Sequence, residues 1–209
     1  MFDLIDISLL SSGPYSIGDQ VSVPLVAYAS PAVRMNAADI IIKWDNTILH
    51  FDGIDNSTNT LPALMSFLPA PTGWYGDLSG INEIIPPADG DALYYWLSPL
   101  CGCATMVDGF DTMTVFKFTV MQSFTTTYVN FIPALTYTSY PEETIVWGTN
   151  VGGWPVTGTT TNATIMGNQF DIDGDQFVGS SDLTIVLADW DKFGTVYLSG
   201  VLGNWGPCQ

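Results

Sequence analysis

Positive charge is nearly absent from this chain: four Lys and Arg stand against 21 Asp and Glu, for a formal net charge of −17. Nucleic-acid binders gain affinity by neutralising phosphates with Lys and Arg, so that class is excluded for want of cations. Attraction to an anionic bilayer surface fails on the same ground. Long apolar runs are also missing, and no stretch approaches the ~20 residues that a membrane-spanning helix needs. The opening Met1-Phe-Asp-Leu-Ile-Asp-Ile-Ser-Leu-Leu has no positive region and two aspartates, so it does not read as a secretory leader. Histidine occurs once, as His50 beside a strand pattern. That leaves the commonest general base almost unrepresented and gives a Ser-His-Asp arrangement a single candidate. Glu83, Glu142, Glu143 and the aspartates show no spacing that singles out a glycosidase pair. The expectation is a protein without catalysis.

Cysteine is scarce too. Cys101 and Cys103 form a Cys-x-Cys, but neither a second pair nor a neighbouring His completes a zinc site. A disulfide from Cys208 to either would leave an odd thiol, and free or locally packed thiols are the simpler reading.

What the chain does have is apolar alternation, with 47% hydrophobic and 13% aromatic residues. Ile5, Ile7 and Leu9 alternate with Asp6 and Ser8; Val21, Val23, Leu25 and Ala27 alternate with Ser22, Pro24 and Tyr28. Ile40, Ile42 and Trp44 form a third pattern, and Phe116, Phe118 and Val120 a fourth. Further strand candidates cover 48–51, 92–97, 128–132, 144–147 and 163–166. Turn-rich pieces such as Ser11-Ser-Gly-Pro14 and Pro86-Pro-Ala-Asp-Gly90 separate them. Some nine short strands without a long helical period predict a mainly β domain over 1–166, a β-sandwich of jelly-roll type.

Near the C-terminus the pattern changes. In Asp171-Ile-Asp173-Gly-Asp175-Gln-Phe177-Val-Gly179-Ser180-Ser181-Asp182, carboxylates fall at positions 1, 3, 5 and 12 of a twelve-residue loop. This is the spacing of an EF-hand-type calcium loop, in which a hard cation gathers oxygens from one short segment. Asp171, Asp173 and Asp175 supply side-chain oxygens and Phe177 a backbone carbonyl. A water beside Gly179 fills position 9, and Asp182 closes the loop. The glycine usual at position 6 is Gln176 here, which should cost on the order of 1 kcal/mol. After the loop, Leu183, Val186, Leu187 and Trp190 make an i, i+3, i+4, i+7 stripe, predicting a helix with one apolar face. The stripe recurs fifteen residues later as Leu198, Val201, Leu202 and Trp205.

An acidic loop followed by two related helices resembles a dockerin module, over roughly 168–206. The resemblance implies a partner-recognition role for the hydroxyls at loop positions 10 and 11, here Ser180 and Ser181. Only seven residues separate Trp190 from Leu198, and Asp189 and Asp191 are weak remnants of a second loop. One calcium ion is therefore expected, not two. Upstream, Ala38-Asp-Ile-Ile-Ile-Lys-Trp-Asp45-Asn-Thr-Ile-Leu49-His-Phe51-Asp-Gly-Ile54 resembles the apolar strand, Trp-Asp turn and following strand of cohesin-like sandwiches. Ser12-Gly-Pro-Tyr-Ser-Ile-Gly18-Asp-Gln-Val-Ser-Val and Met113-Thr-Val-Phe-Lys-Phe-Thr-Val resemble their opening and a late strand. The implied organisation is a cohesin-like sandwich over 1–166 followed by a dockerin-like calcium module over 167–209.

The functional expectation is an assembly protein that binds calcium and makes protein contacts. The apolar, Pro- and Gly-rich segment 61–87 suits contact with another chain, and the Gly/Thr-rich segment 148–164 suits an arm or linker. Without a leader or a catalytic group, a decoration or cement protein on a virion surface, bound to a capsid lattice or self-associating, is the first reading. A secreted or cell-surface scaffold component with a cohesin or dockerin partner is the second. A carbohydrate-binding sandwich is a third, with Trp74-Tyr75, Tyr94-Tyr95-Trp96, Trp147 and Trp154 as candidate platform residues.

Overall fold

The structure is a computed structural model and describes residues 4–10, 13–69, 72–73, 76–77, 90–98, 105–132, 134–135, 142–148, 155–175 and 177–207. All three cysteines lie outside these residues, as do Trp74, Tyr75, Trp154 and Gln176.

In chain order the strands are β1 (Ile5–Leu9), β2 (Gln20–Trp44), β3 (Leu49–Asp55), β4 (Met65–Phe67), β5 (Thr72–Gly73), β6 (Gly76–Asp77), β7 (Asp91–Leu97) and β8 (Thr105–Val120). Then follow β9 (Thr126–Phe131), β10 (Ala134–Leu135), β11 (Glu142–Glu143), β12 (Ile145–Gly148), β13 (Thr157–Thr161) and β14 (Ala163–Met166). Two pairs, β5–β6 and β10–β11, are small separate ribbons.

The fold hangs on β2, whose 25 residues serve both layers of a sandwich. Its first half pairs with β1 (Leu9 opposite Leu25) and with β8 (Leu25 opposite Thr114). Strand β3 extends this layer beyond β8, and β13 extends it in parallel beyond β1. The second half pairs with β7 on one side; on the other, β12 and then β9 follow in succession, and β14 lies beside β9. Strand β4 edges this layer. The sequence reading divides β2 into two strands for a physical reason. Its buried side chains run on odd positions through Val33 and Met35, then on even positions from Ala38 to Ile42 and Trp44. Register shifts between Leu25 and Val26 and between Ala29 and Val33 absorb the bend.

The inward residues form one continuous core. Its centre is aromatic: the Trp44 ring lies 5.2 Å from Phe51 and 5.3 Å from Phe118, and Tyr94 meets Phe116 edge-on at 5.8 Å. The Tyr94 hydroxyl donates to the Met113 carbonyl at 3.1 Å and bonds Ser66 Oγ at 2.7 Å. Burial pushes its pKa up, so it stays neutral and holds that donor.

Where it is described, at Gly148 and over 155–164, segment 148–164 is not an arm or linker, and 149–154 lie outside the described residues. It contains β13, whose Thr-rich run is hydrogen-bonded beside β1, and it leads straight into β14. Within 61–87, Leu61 is buried and β4 is part of the second layer, while 70–71, 74–75 and 78–87 lie outside the described residues.

Beyond Met166 a short strap of residues 167–170 leads to the acidic loop. Then come β15 (Phe177–Val178), α1 (Ser180–Ala188), α2 (Trp190–Gly203) and β16 (Gly206–Pro207). Val178, Val186 and Val201 are the buried centre of this unit, packed by Phe170, Ile172, Leu183, Phe193, Tyr197 and Leu198. The two apolar stripes are only half used. Leu187 is 56%, Trp190 43%, Leu202 55% and Trp205 49% exposed. The helix breaks at Asp189 (φ −126°, ψ 59°) before the first stripe is complete, and Gly194 (φ 63°) kinks α2. Phe170 and Ile172, which precede the helices, fill the space that the stripes were expected to fill.

The strap is fastened to the sandwich. Tyr15 N donates to the Met166 carbonyl at 3.0 Å, Asn168 N to the Tyr15 carbonyl at 2.8 Å, and Gly167 N to the Thr125 carbonyl at 3.1 Å. Gly167 packs so closely on the Phe124 carbonyl that no Cβ fits between them.

Candidate metal centre

Three carboxylates converge in the acidic loop. Asp171, Asp173 and Asp175 each offer an oxygen, and these oxygens lie within 4.8 Å of one another. Asp171 is fully buried, while Asp173 and Asp175 are exposed. The loop curls because each carboxylate accepts an amide proton a few residues on: Gly174 N to Asp171 Oδ1 (2.9 Å), Asp175 N to Asp173 Oδ1 (3.2 Å), Phe177 N to Asp175 Oδ1 (2.9 Å). Gly174, at φ 77°, takes the left-handed turn and rests its Cα face on Ile17 of the sandwich, where an added Cβ would come within 2.9 Å.

Asp182 is buried but does not belong to that trio. Its Oδ1 accepts from Ile172 N (2.5 Å) and Asp173 N (3.3 Å), and its Oδ2 from Gly179 N (2.8 Å). It thus ties both ends of the loop to the first turn of α1. A carboxylate has about four lone-pair positions, so these amides do not exhaust its capacity for a cation. Phe177 pairs with Pro207, which has no N–H to offer the Phe177 carbonyl. Gly179 caps α1 in extended conformation, and Ser180 and Ser181 stand exposed on its first turn.

The residues present fit a hard divalent cation. The donors are all oxygen, three of them already face one another, and one is fully buried. Softer metals would call for nitrogen or sulfur ligands.

Elsewhere, His50 Nδ1 lies 3.0 Å from Asp52 Oδ1, while the Thr119 hydroxyl donates to Asp52 Oδ2 at 2.7 Å. The hydroxyl sits on the carboxylate rather than on the imidazole, which is not the order a nucleophile and base require. Of the candidate sugar platform, Trp74, Tyr75 and Trp154 lie outside the described residues, and the described members form no exposed aromatic face. Tyr94 and Trp96 are core residues, and Tyr95 is half-buried beside Phe67, Ile41 and Leu93. Trp147 is half-buried on β12.

The chain matches no known protein-family model. It matches no curated protein sequence either. Solved structures do resemble it. The third cohesin of ScaC from Acetivibrio cellulolyticus, solved with the ScaB dockerin, superposes with a TM-score of 0.53 at 13% identity, covering 78% of this chain and 98% of that one. The seventh ScaB type I cohesin from Pseudobacteroides cellulosolvens gives 0.51 at 11%, covering 78% and 92%. The OlpA cohesin of Clostridium thermocellum, solved with the Doc918 dockerin, gives 0.51 at 11%, covering 78% and 99%. At such identities the likeness is one of fold: the sandwich is cohesin-like.

Proposed function

We propose that this chain is a non-enzymatic assembly subunit, in which the cohesin-like sandwich makes protein contacts and one calcium ion braces the C-terminal helical unit. The observation that carries the calcium part is the meeting of Asp171, Asp173 and Asp175 oxygens within 4.8 Å, one of them fully buried. The Phe177 carbonyl, a water near Gly179 and Asp182 complete the proposed oxygen set, and the ion's role is structural. The contact part is supported by fold likeness, since two of the similar cohesins were solved in complexes with dockerins. Ser180 and Ser181 are the proposed partner-facing hydroxyls of the helical unit.

The finer step, attachment to a capsid lattice at a virion surface, extends this reading from sequence considerations. Its counterpart is a secreted or cell-surface scaffold with a separate dockerin or cohesin partner. Calorimetric titration with calcium tests the metal, and one bound ion per chain is expected. Capture from lysates with calcium or chelator tests the contacts. Retention of capsid protein supports the virion setting, whereas calcium-dependent retention of a dockerin- or cohesin-bearing protein supports the scaffold. Retention of neither, by a chain that also stays monomeric, removes the assembly reading.

A further inference from the structure

Two clefts flank the strap between the sandwich and the helical unit, and the larger encloses about 530 Å³. That volume is in the range of small-ligand sites, which favour such junctions. One wall is the strap, with Asn168, Gln169 and Phe170; the other is the tail after α2, with Asn204 and Trp205, and Pro14 forms a rim. None of the lining residues is ionisable, although the chain carries 21 carboxylates.

Residues that line this cleft keep hydrogen-bonding capacity unused by partners among the described residues. Gln169 accepts from the Thr125 hydroxyl through Oε1 (3.0 Å), and its Nε2 has no partner among the described residues. Asn204 gives Nδ2 to the Gly200 carbonyl (2.8 Å), which leaves its Oδ1 as an acceptor. Trp205 is 49% exposed, and its Nε1–H has no partner among the described residues. The walls therefore supply donors, an acceptor and an aromatic face, but no charge.

This chemistry narrows the ligand. An anion would find no cation among the lining residues, and a metal ion no carboxylate. A wholly apolar molecule would leave the amides unpaired as it displaced their water. A pyranose ring meets every requirement: its hydroxyls exchange bonds with Gln169 and Asn204, and its C–H face covers the Trp205 indole. We infer that the cleft between the strap and the C-terminal tail is a binding site for an uncharged saccharide. The inference is independent of the calcium reading.

The test uses the full chain in calcium-containing buffer on a printed array of neutral glycans, followed by calorimetry on any glycan retained. Binding should weaken by about tenfold or more in Trp205→Ala and in Asn204→Ala, and survive in Trp205→Phe. Phe110, 75% exposed and tilted against Tyr28 with ring centroids 4.5 Å apart, is the competing aromatic surface on the sandwich. Phe110→Ala should leave affinity unchanged. Melting temperatures within a few degrees of the parent exclude unfolding as the cause, and Asn204→Ala serves if Trp205→Ala fails to fold. No retained glycan, or binding untouched by both cleft substitutions, overturns the inference.

Discussion

Asp182 holds three backbone N–H groups on its two oxygens at the first turn of α1, whereas Asp173 stands exposed and accepts one. Spacing alone treats the two as equal ligands, because a loop-closing carboxylate and a helix-capping carboxylate occupy the same position. Their substitutions should separate. Asp173→Ala should leave stability in chelator close to the parent and abolish the calcium-dependent rise in melting temperature. Asp182→Ala should destabilise the helical unit by about 1–3 kcal/mol even in chelator, since it strands buried N–H groups. Scanning calorimetry with and without calcium reads both, and equal behaviour of the two variants would contradict the division. A second residue-scale prediction concerns Gly200, whose missing Cβ makes room for the Phe170 ring on α2. Gly200→Ala should lower the stability of the helical unit by about 1–3 kcal/mol in denaturant melts, because the ring must leave its seat. Gly200 could not be singled out beforehand, since nothing local distinguishes it from the exposed Gly203.

Among the elements, β1, β9 and β14 emerge close to where alternation places them, because each has one inward face, and β7 does so although Leu93 on its other face is buried as well. The continuity of β2 was not legible, since the inward phase inverts between Met35 and Ala38 and a period-2 pattern read locally must stop there. Strand β13 was hidden for a different reason: Thr157-Gly-Thr-Thr-Thr161 is largely exposed and takes its place from pairing with β1 rather than from burial. The helical stripes misled in the opposite sense, promising burial for Leu187, Trp190, Leu202 and Trp205 that two helix breaks prevent. One pairing in this region carries a prediction. Strand β15 follows the carboxylate trio and its partner is β16 in the tail, so the loop's far end is held by the segment that follows α2. Truncation after Asn204 removes that partner. Amide exchange at Val178 should then accelerate sharply while exchange in β2 and β8 stays slow; unchanged protection at Val178 would show that the ladder contributes nothing.

Across the whole molecule the two hydrophobic clusters differ greatly in size. The sandwich core gathers residues from β1, β2, β3, β7, β8, β9, β12 and β14, whereas the helical unit buries three valines and a rim of half-buried neighbours. A unit that small buries too little apolar surface to fold independently and needs a metal, a staple or a neighbour. It has a neighbour in the strap bonds at Tyr15, Thr125 and Asn168 and in the Ile17–Gly174 contact, and by the proposed function it also has a metal. Those bonds sit at the root of the unit, and Ile17 reaches the loop itself. Removing calcium should therefore loosen 170–207 without opening the sandwich. In chelator, limited proteolysis should trim the C-terminus back towards Met166 and leave a resistant core, and calorimetry should show a separate low-temperature transition that calcium moves upward. Ile17→Ala should shift that transition down and leave the sandwich transition in place, because it thins only the contact with the loop. A single transition carrying the whole chain, shifted equally by calcium and by Ile17→Ala, would mean that the loop stabilises the sandwich as well. The calcium ion would then be a brace for the entire molecule rather than for its C-terminal end.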